Sequence, residues 1–165
     1  MEISKHLVDL VTNSFEALAK HILVLLIEDE DGYITLSVTD DGVGIKEEDV
    51  DKALAGEKAP RGNGLRLLSE SAGAFRYGSD EAGSHVTATF TKPLLGKVGD
   101  ALIVFWQEMN ITVITLSATS PRGAFCFDSR LIGEKYGDRA DITTMVKVRE
   151  DVNYNLTNIF GGNKE

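Results

Sequence analysis

Two stretches decide how this chain is read: Asp9-Leu10-Val11-Thr12-Asn13-Ser14-Phe15-Glu16-Ala17 and, further along, Asp40-Asp41-Gly42-Val43-Gly44-Ile45. Around the first, apolar residues at Ile3, Leu7, Leu10, Val11, Phe15, Leu18 and Ile22 recur at helical spacing, which predicts an amphipathic helix over 3–20. Asp9 and Asn13 stand four residues apart on it, so one helical side offers a carboxylate and a carboxamide oxygen together. The second stretch closes an alternating segment, Tyr33 to Thr39, with Ile34, Leu36 and Val38 on one face. That alternation predicts a strand delivering Asp40 to its C-terminal end, and the two glycines that follow let bare backbone approach a planar ligand.

Working outward, His21 to Glu28 is a β-branched apolar run that reads as a buried strand, followed by turn chemistry in Asp29-Glu30-Asp31-Gly32. Lys46 to Ala55 reads as a short polar helix with acids near its start. Residues 56–64, Gly-Glu-Lys-Ala-Pro-Arg-Gly-Asn-Gly, hold too many breakers for regular structure and read as a mobile loop. Leu65 to Ala72 reads as a helix ending at Gly73, and Phe75–Tyr77 and Val86–Thr91 as strands. Lys92-Pro93 closes this unit, giving an expected division into a domain over 1–93 and a small α+β extension over 94–165. In the extension, 97–108 suits a helix, although Leu102 to Trp106 also suits a strand. Ile111–Leu116 and Ala124–Asp128 suit strands, Asp141–Phe160 suits a helix, and the tail beyond Gly161-Gly162 reads as frayed.

The Asp9–Ala17 and Asp40–Ile45 stretches resemble the N-box and G1 box of the GHKL ATPases, which include type II topoisomerases, the ninety-kilodalton heat-shock chaperone, histidine kinases and MutL-type repair proteins. Arg61-Gly62-Asn63-Gly64-Leu65-Arg66-Leu67 resembles their glycine-rich lid and Gly83-Ser84-His85-Val86 their last box, all in family order. The resemblance implies the Bergerat fold, an α/β (α+β) two-layer sandwich with a mixed, mainly antiparallel sheet and helices on one face. It also implies ATP and Mg²⁺ as cofactors. By resemblance Asp40 accepts the adenine N6–H, Asn13 holds Mg²⁺, and Ser84 helps hold the adenine edge where the family has threonine. Ala17, Gly42, Gly44 and Ile45 shape the base site, while Gly62, Asn63, Gly64 and Leu65 cover the phosphates with Lys58 and Arg61 as cationic partners. Asp9 stands where hydrolytic members carry Glu, the catalytic residue that orients or deprotonates water. Its shorter reach weakens the case for brisk hydrolysis, since a shift of about 1 Å can cost on the order of a hundredfold. More loosely, the whole chain resembles small stand-alone ATP-binding proteins encoded beside iron hydrogenase subunits.

Formal net charge is −9, with 9 basic and 17 acidic residues over 1–95 and 8 basic and 9 acidic after it. No basic cluster is present, so nucleic acid is not an expected partner. The longest apolar run, Ile22 to Ile27, is too short to span a bilayer, and no cationic leader is visible, so the expectation is a cytoplasmic protein away from membranes. The single cysteine, Cys126, excludes an internal disulfide and an iron–sulfur ligand cluster, and its bland reading is a buried strand residue. His6, His21 and His85 lack metal-ligand spacing, and His6 reads as structural rather than as a phosphoacceptor.

The leading reading is a Mg²⁺-ATP-binding regulatory protein with slow or no hydrolysis, whose lid acts on a protein partner. A protein kinase acting in trans, as in anti-sigma serine kinases, with Asp9 as base, is the enzymatic alternative, and a nucleotide-free scaffold is the third. A homodimer is compatible with all three.

Overall fold

The computed structural model describes residues 2–62, 64–91 and 93–160. A six-stranded sheet in the order β3-β4-β2-β1-β5-β6 forms its frame. The strands are β1 (His21–Glu28), β2 (Ile34–Asp40), β3 (Ala74–Asp80), β4 (Gly83–Phe90), β5 (Val113–Ser120) and β6 (Gly123–Asp128). β1 and β5 run parallel, and every other neighbouring pair is antiparallel. The helices are α1 (Ile3–Glu16), α2 (Glu47–Leu54), α3 (Leu65–Ser71), α4 (Val98–Ile103), α5 (Ile132–Lys135) and α6 (Ile142–Ile159). Sheet and helices together form the two-layer α/β sandwich expected of a Bergerat fold.

Period-two alternation explains the layering. Ile22, Val24 and Leu26 of β1, Leu36 and Val38 of β2, and Ile114 and Leu116 of β5 join Leu7, Leu10 and Val11 of α1 and Val148, Val152 and Leu156 of α6 in one core. The alternate residues face solvent, among them Leu23 and Ile27. Burying one face in this way fixes register, because a one-residue slip would turn every apolar side chain outward. The register sets Asp40 opposite both Ile22 of β1 and Ser84 of β4.

α1 stops at Glu16 instead of running to 20. Leu18 adopts φ +62, and the amides of Leu18 and Ala19 bond the carbonyls of Phe15 and Ser14 at 3.0 and 3.1 Å. This is a Schellman closure with leucine in the left-handed position that glycine usually fills. It turns the chain into β1 and satisfies carbonyls the helix would leave open. At the other end of α1, the amides of Ile3 and Ser4 donate to the carbonyls of Leu94 and Leu95 at 2.9 and 3.0 Å. His6 is buried, 1% exposed, and stacks on Phe90 with 5.7 Å between ring centroids. Burial holds its pKa below the ordinary histidine value.

The division at 93 falls between β4 and α4, and the chain beyond it shares the sheet and the core. The ambiguous 97–108 stretch forms α4 and then a turn of 3₁₀ helix over Glu108–Asn110, with Leu102, Phe105, Trp106 and Met109 buried. Asn153 of α6 accepts the Gly99 amide at 2.7 Å and donates to Asp100 at 2.9 Å, tying α6 to α4. A 3₁₀ turn over Ser129–Leu131 and α5 follow β6, where the sequence shows no periodicity long enough to announce them. Cys126 is exposed, which corrects the expectation of a buried thiol, because β6 turns Phe127 inward and its neighbour outward. Among the described residues no helix is long and apolar enough to cross a membrane. The tail from Gly161 lies outside the described residues.

Candidate functional site

Asp40 ends β2 in the interior, 8% exposed. Its Oδ2 accepts the hydroxyls of Ser14 at 2.6 Å and Ser84 at 3.0 Å, and its Oδ1 accepts the Gly42 amide at 2.9 Å. An ionised carboxylate offers about four acceptor positions. Three are taken, so Oδ1 can still receive one incoming N–H. The arrangement ties three motif elements together: Ser14 on α1, Gly42 in the loop after β2, and Ser84 on β4.

The loop after β2 lies directly on the end of α1. The Val43 amide donates to the Ala17 carbonyl at 2.8 Å, and a Cβ added at Gly42 would stand 2.5 Å from that same oxygen. Only glycine allows this approach. Farther along, the Ile45 amide donates to the Tyr77 hydroxyl at 2.8 Å, so β3 anchors the loop from its other side. Tyr77 was not among the sequence candidates, because no local pattern marks a strand tyrosine that reaches a loop thirty-two residues away. Asp41 is exposed and accepts the amides of Lys20 and His21 at 2.7 and 3.0 Å and the His21 ring nitrogen at 2.8 Å. Those bonds, led by the His21 amide, pull its pKa down to about 2.

Asp9 and Asn13 lie on one side of α1 as the spacing predicts, Asn13 buried and Asp9 half-buried. Burial raises the Asp9 carboxyl above the usual aspartate range. The lid glycine Gly64, at φ +85, packs against Asp9, and a Cβ there would fall 2.6 Å from its Oδ2. Gly62 sits near Leu65 and Ile45. Arg61 crosses the last turn of α1: its guanidinium donates to the Asn13 carbonyl at 3.3 Å and its Nε stands 3.9 Å from Glu16. Lys58 is exposed and makes no hydrogen bond or ion pair among the described residues. Arg66 is held by Glu70 at 2.7 Å and packs on Gly56. Asn63 lies outside the described residues.

These elements enclose a cavity. Leu10, Val38 and Val86 give it an apolar wall, Asn13, Ser14, Asp40 and Ser84 give it polar groups, and Ala17, Ile45 and Tyr77 close one side. Arg61 and Leu65 from the lid complete it, leaving about 20 Å³ of open space. That is room for about one water and less than a purine needs. Asp40 and Ser84 also face a second, more open cavity of about 360 Å³, bounded by Gly78, Asp80 and Gly83. A buried acceptor with one free lone pair, a neighbouring carboxamide and a glycine-flexed cover suit an amino-bearing heterocycle with an anionic tail. The hard oxygen of Asn13 also suits a magnesium ion held mainly by phosphate and water.

The sequence profile of the histidine kinase-, DNA gyrase B- and HSP90-like ATPases matches residues 1–120, and the chain belongs to that family of GHKL ATPase domains. Among solved structures it is similar to the N-terminal domain of a DNA repair protein, at 16% identity and a TM-score of 0.58, over 82% of this chain and 57% of that one. It is also similar to the Aquifex aeolicus MutL ATPase domain complexed with ADP, at 14% identity and a TM-score of 0.50, over 90% of this chain and 68% of that one. The chain thus spans little more than half of the first of these domains. No curated protein sequence matches it.

Proposed function

We propose that the protein binds Mg²⁺-ATP, hydrolyses it slowly or not at all, and uses the nucleotide to set its lid for a protein partner. The observation that carries this reading is Asp40: a buried carboxylate oriented by Ser14, Ser84 and Gly42, with one acceptor position left over, at the lining of an enclosed cavity. Adenine presents an N6 donor to that oxygen where guanine presents a carbonyl, so the same bond selects the base. Asn13 supplies a hard oxygen to Mg²⁺, which neutralises phosphate charge when bound. Among the described residues no group of three His, Cys, Asp or Glu side chains could hold a metal, so phosphate and water complete its shell.

Asp9 orients the attacking water, and its short side chain keeps turnover low. The γ-phosphate draws Arg61 and Gly64 from their contacts on α1, together with the backbone of Gly62 and Leu65, to the ligand. The acidic surface turns nucleic acid away, and a cytoplasmic protein partner receives the signal.

Hydrogen exchange over 56–65 with ADP and with a non-hydrolysable ATP analogue, alongside a phosphate-release assay with Mg²⁺-ATP, tests the reading. The expected result is stronger protection with the analogue and release slower than about one turnover per second, the low end for enzymes. Equal protection by both nucleotides would refute the lid role. Movement of labelled phosphate onto another protein would replace this reading with the kinase.

A further inference from the structure

We propose that the hollow between the C-terminal half of α1 and the turn that follows α4 docks an amphipathic helix of a partner protein, with an apolar side chain flanked by lysine or arginine, and that docking acts on the lid through Glu16. The second half rests on the lid reading above. The first half does not.

The hollow measures about 400 Å³ and lies outside the nucleotide cavity. Phe15 and Phe105 line it, their ring centroids 5.3 Å apart, and Val104, 60% exposed, stands beside them. Leu18 and Ile111, three residues beyond Phe15 and Glu108, are 73% and 76% exposed. They flank the hydrogen bond from Thr112 to the Ala19 carbonyl, so the apolar surface continues past the hollow. Leu18 is held at φ +62, where glycine would sit without strain, and its side chain adds little to the core. A strained, exposed leucine next to an aromatic hollow is the pattern of a contact surface, and exposed apolar side chains continuing beside such a hollow suit the apolar face of an amphipathic helix.

Charge names the occupant. Glu16 and Glu108 stand among the residues bounding the hollow, both exposed, on a chain of net charge −9. Acidic neighbours repel an acidic segment and a second copy of this chain, and attract flanking lysine or arginine. Glu16 is also the carboxylate 3.9 Å from Arg61 of the lid. A partner cation on Glu16 competes with Arg61 and loosens its hold on α1, so docking and nucleotide entry become linked in both directions.

The test uses the full chain without nucleotide and a fluorescein-labelled peptide of leucines and lysines at helical spacing, with a leucine and glutamate peptide of the same pattern as control. Fluorescence anisotropy is expected to show binding of the lysine peptide only. Val104→Asp and Glu108→Lys should each weaken it by about tenfold or more, while Tyr33→Asp, at an exposed position in the turn at the far end of β1, leaves it unchanged. Circular dichroism checks that each variant is folded. Equal affinity in wild type and Val104→Asp, or equal loss in Tyr33→Asp, would overturn the docking site. So would light scattering that shows a wild-type dimer dispersed by Val104→Asp, because a second copy would then be the occupant. For the link to the lid, saturating lysine peptide should change ADP affinity in wild type and not in Glu16→Gln. An undiminished change in Glu16→Gln would overturn the coupling. If no nucleotide binds at all, the nucleotide reading and the coupling fall together, while the peptide arm still decides the surface.

Discussion

The two walls of the nucleotide cavity are built differently. The wall made by α1, β2, β4 and the loop after β2 is pinned by the Asp40 carboxylate, by the Val43 bond to Ala17 and by the Tyr77 hydroxyl. The opposing wall is the lid, whose Arg61 is held by one long hydrogen bond and a loose, partly exposed ion pair. Buried bonds to a carboxylate resist separation far more than an exposed pair does. The contrast teaches that one wall is fixed in the resting fold and the other left adjustable, and under the proposed function these are the walls that meet the base and the phosphates.

Gly42→Val should break the rigid wall outright. A Cβ there meets the Ala17 carbonyl, which cannot give way without moving the end of α1. We expect a loss of about 2–3 kcal/mol in urea unfolding and no measurable nucleotide binding by calorimetry. Arg61→Ala probes the adjustable wall and should leave unfolding within about 0.5 kcal/mol of wild type. ADP affinity is retained, and the preference for an ATP analogue over ADP falls roughly tenfold, the value of one charged hydrogen bond.

Asp9→Asn sharpens the contrast further, because it touches neither wall's base contacts. Nucleotide affinity should change less than twofold, roughly the surface-substitution range, while any phosphate release is lost. In the wild type that release should rise with pH through a carboxyl pKa above the usual aspartate value, since the ionised form orients the water and burial disfavours it. The smallest effect is expected at His6, remote from both walls. Its folded pKa is depressed, so the unfolded chain binds more protons as pH falls below the ordinary value of 6.5 and stability declines there. His6→Leu should flatten that decline in urea melts performed on either side of 6.5.

Much of the rigid wall is legible in the sequence because local pattern writes it. Asp9 and Asn13 need only helical spacing, and Asp40 needs only a strand that ends in an acid before glycine. What was not legible depends on distant partners. Tyr77 matters through a loop on the far side of β2, and Asp41 through the backbone that opens β1. The end of α1 was misplaced because leucine at 18 continues the apolar period, yet the chain must turn there to enter the sheet. Cys126 looked buried because aromatic residues flank it, but an edge strand exposes its alternate positions. The segment after 93 carries none of the motifs, so the sequence alone does not say what it adds to the fold. Its place in the sheet comes from β5 lying parallel to β1, a pairing no local pattern reveals.

The central claim is that the Asp40 wall recognises adenine before the lid acts. Calorimetric titration of wild type and Asp40→Asn with ADP and a non-hydrolysable ATP analogue, each with and without Mg²⁺, tests it most directly. The account predicts magnesium-dependent binding of both nucleotides to the wild type, lost for both in a folded Asp40→Asn. Undiminished binding in Asp40→Asn, or no binding to folded wild type at millimolar nucleotide, would contradict it.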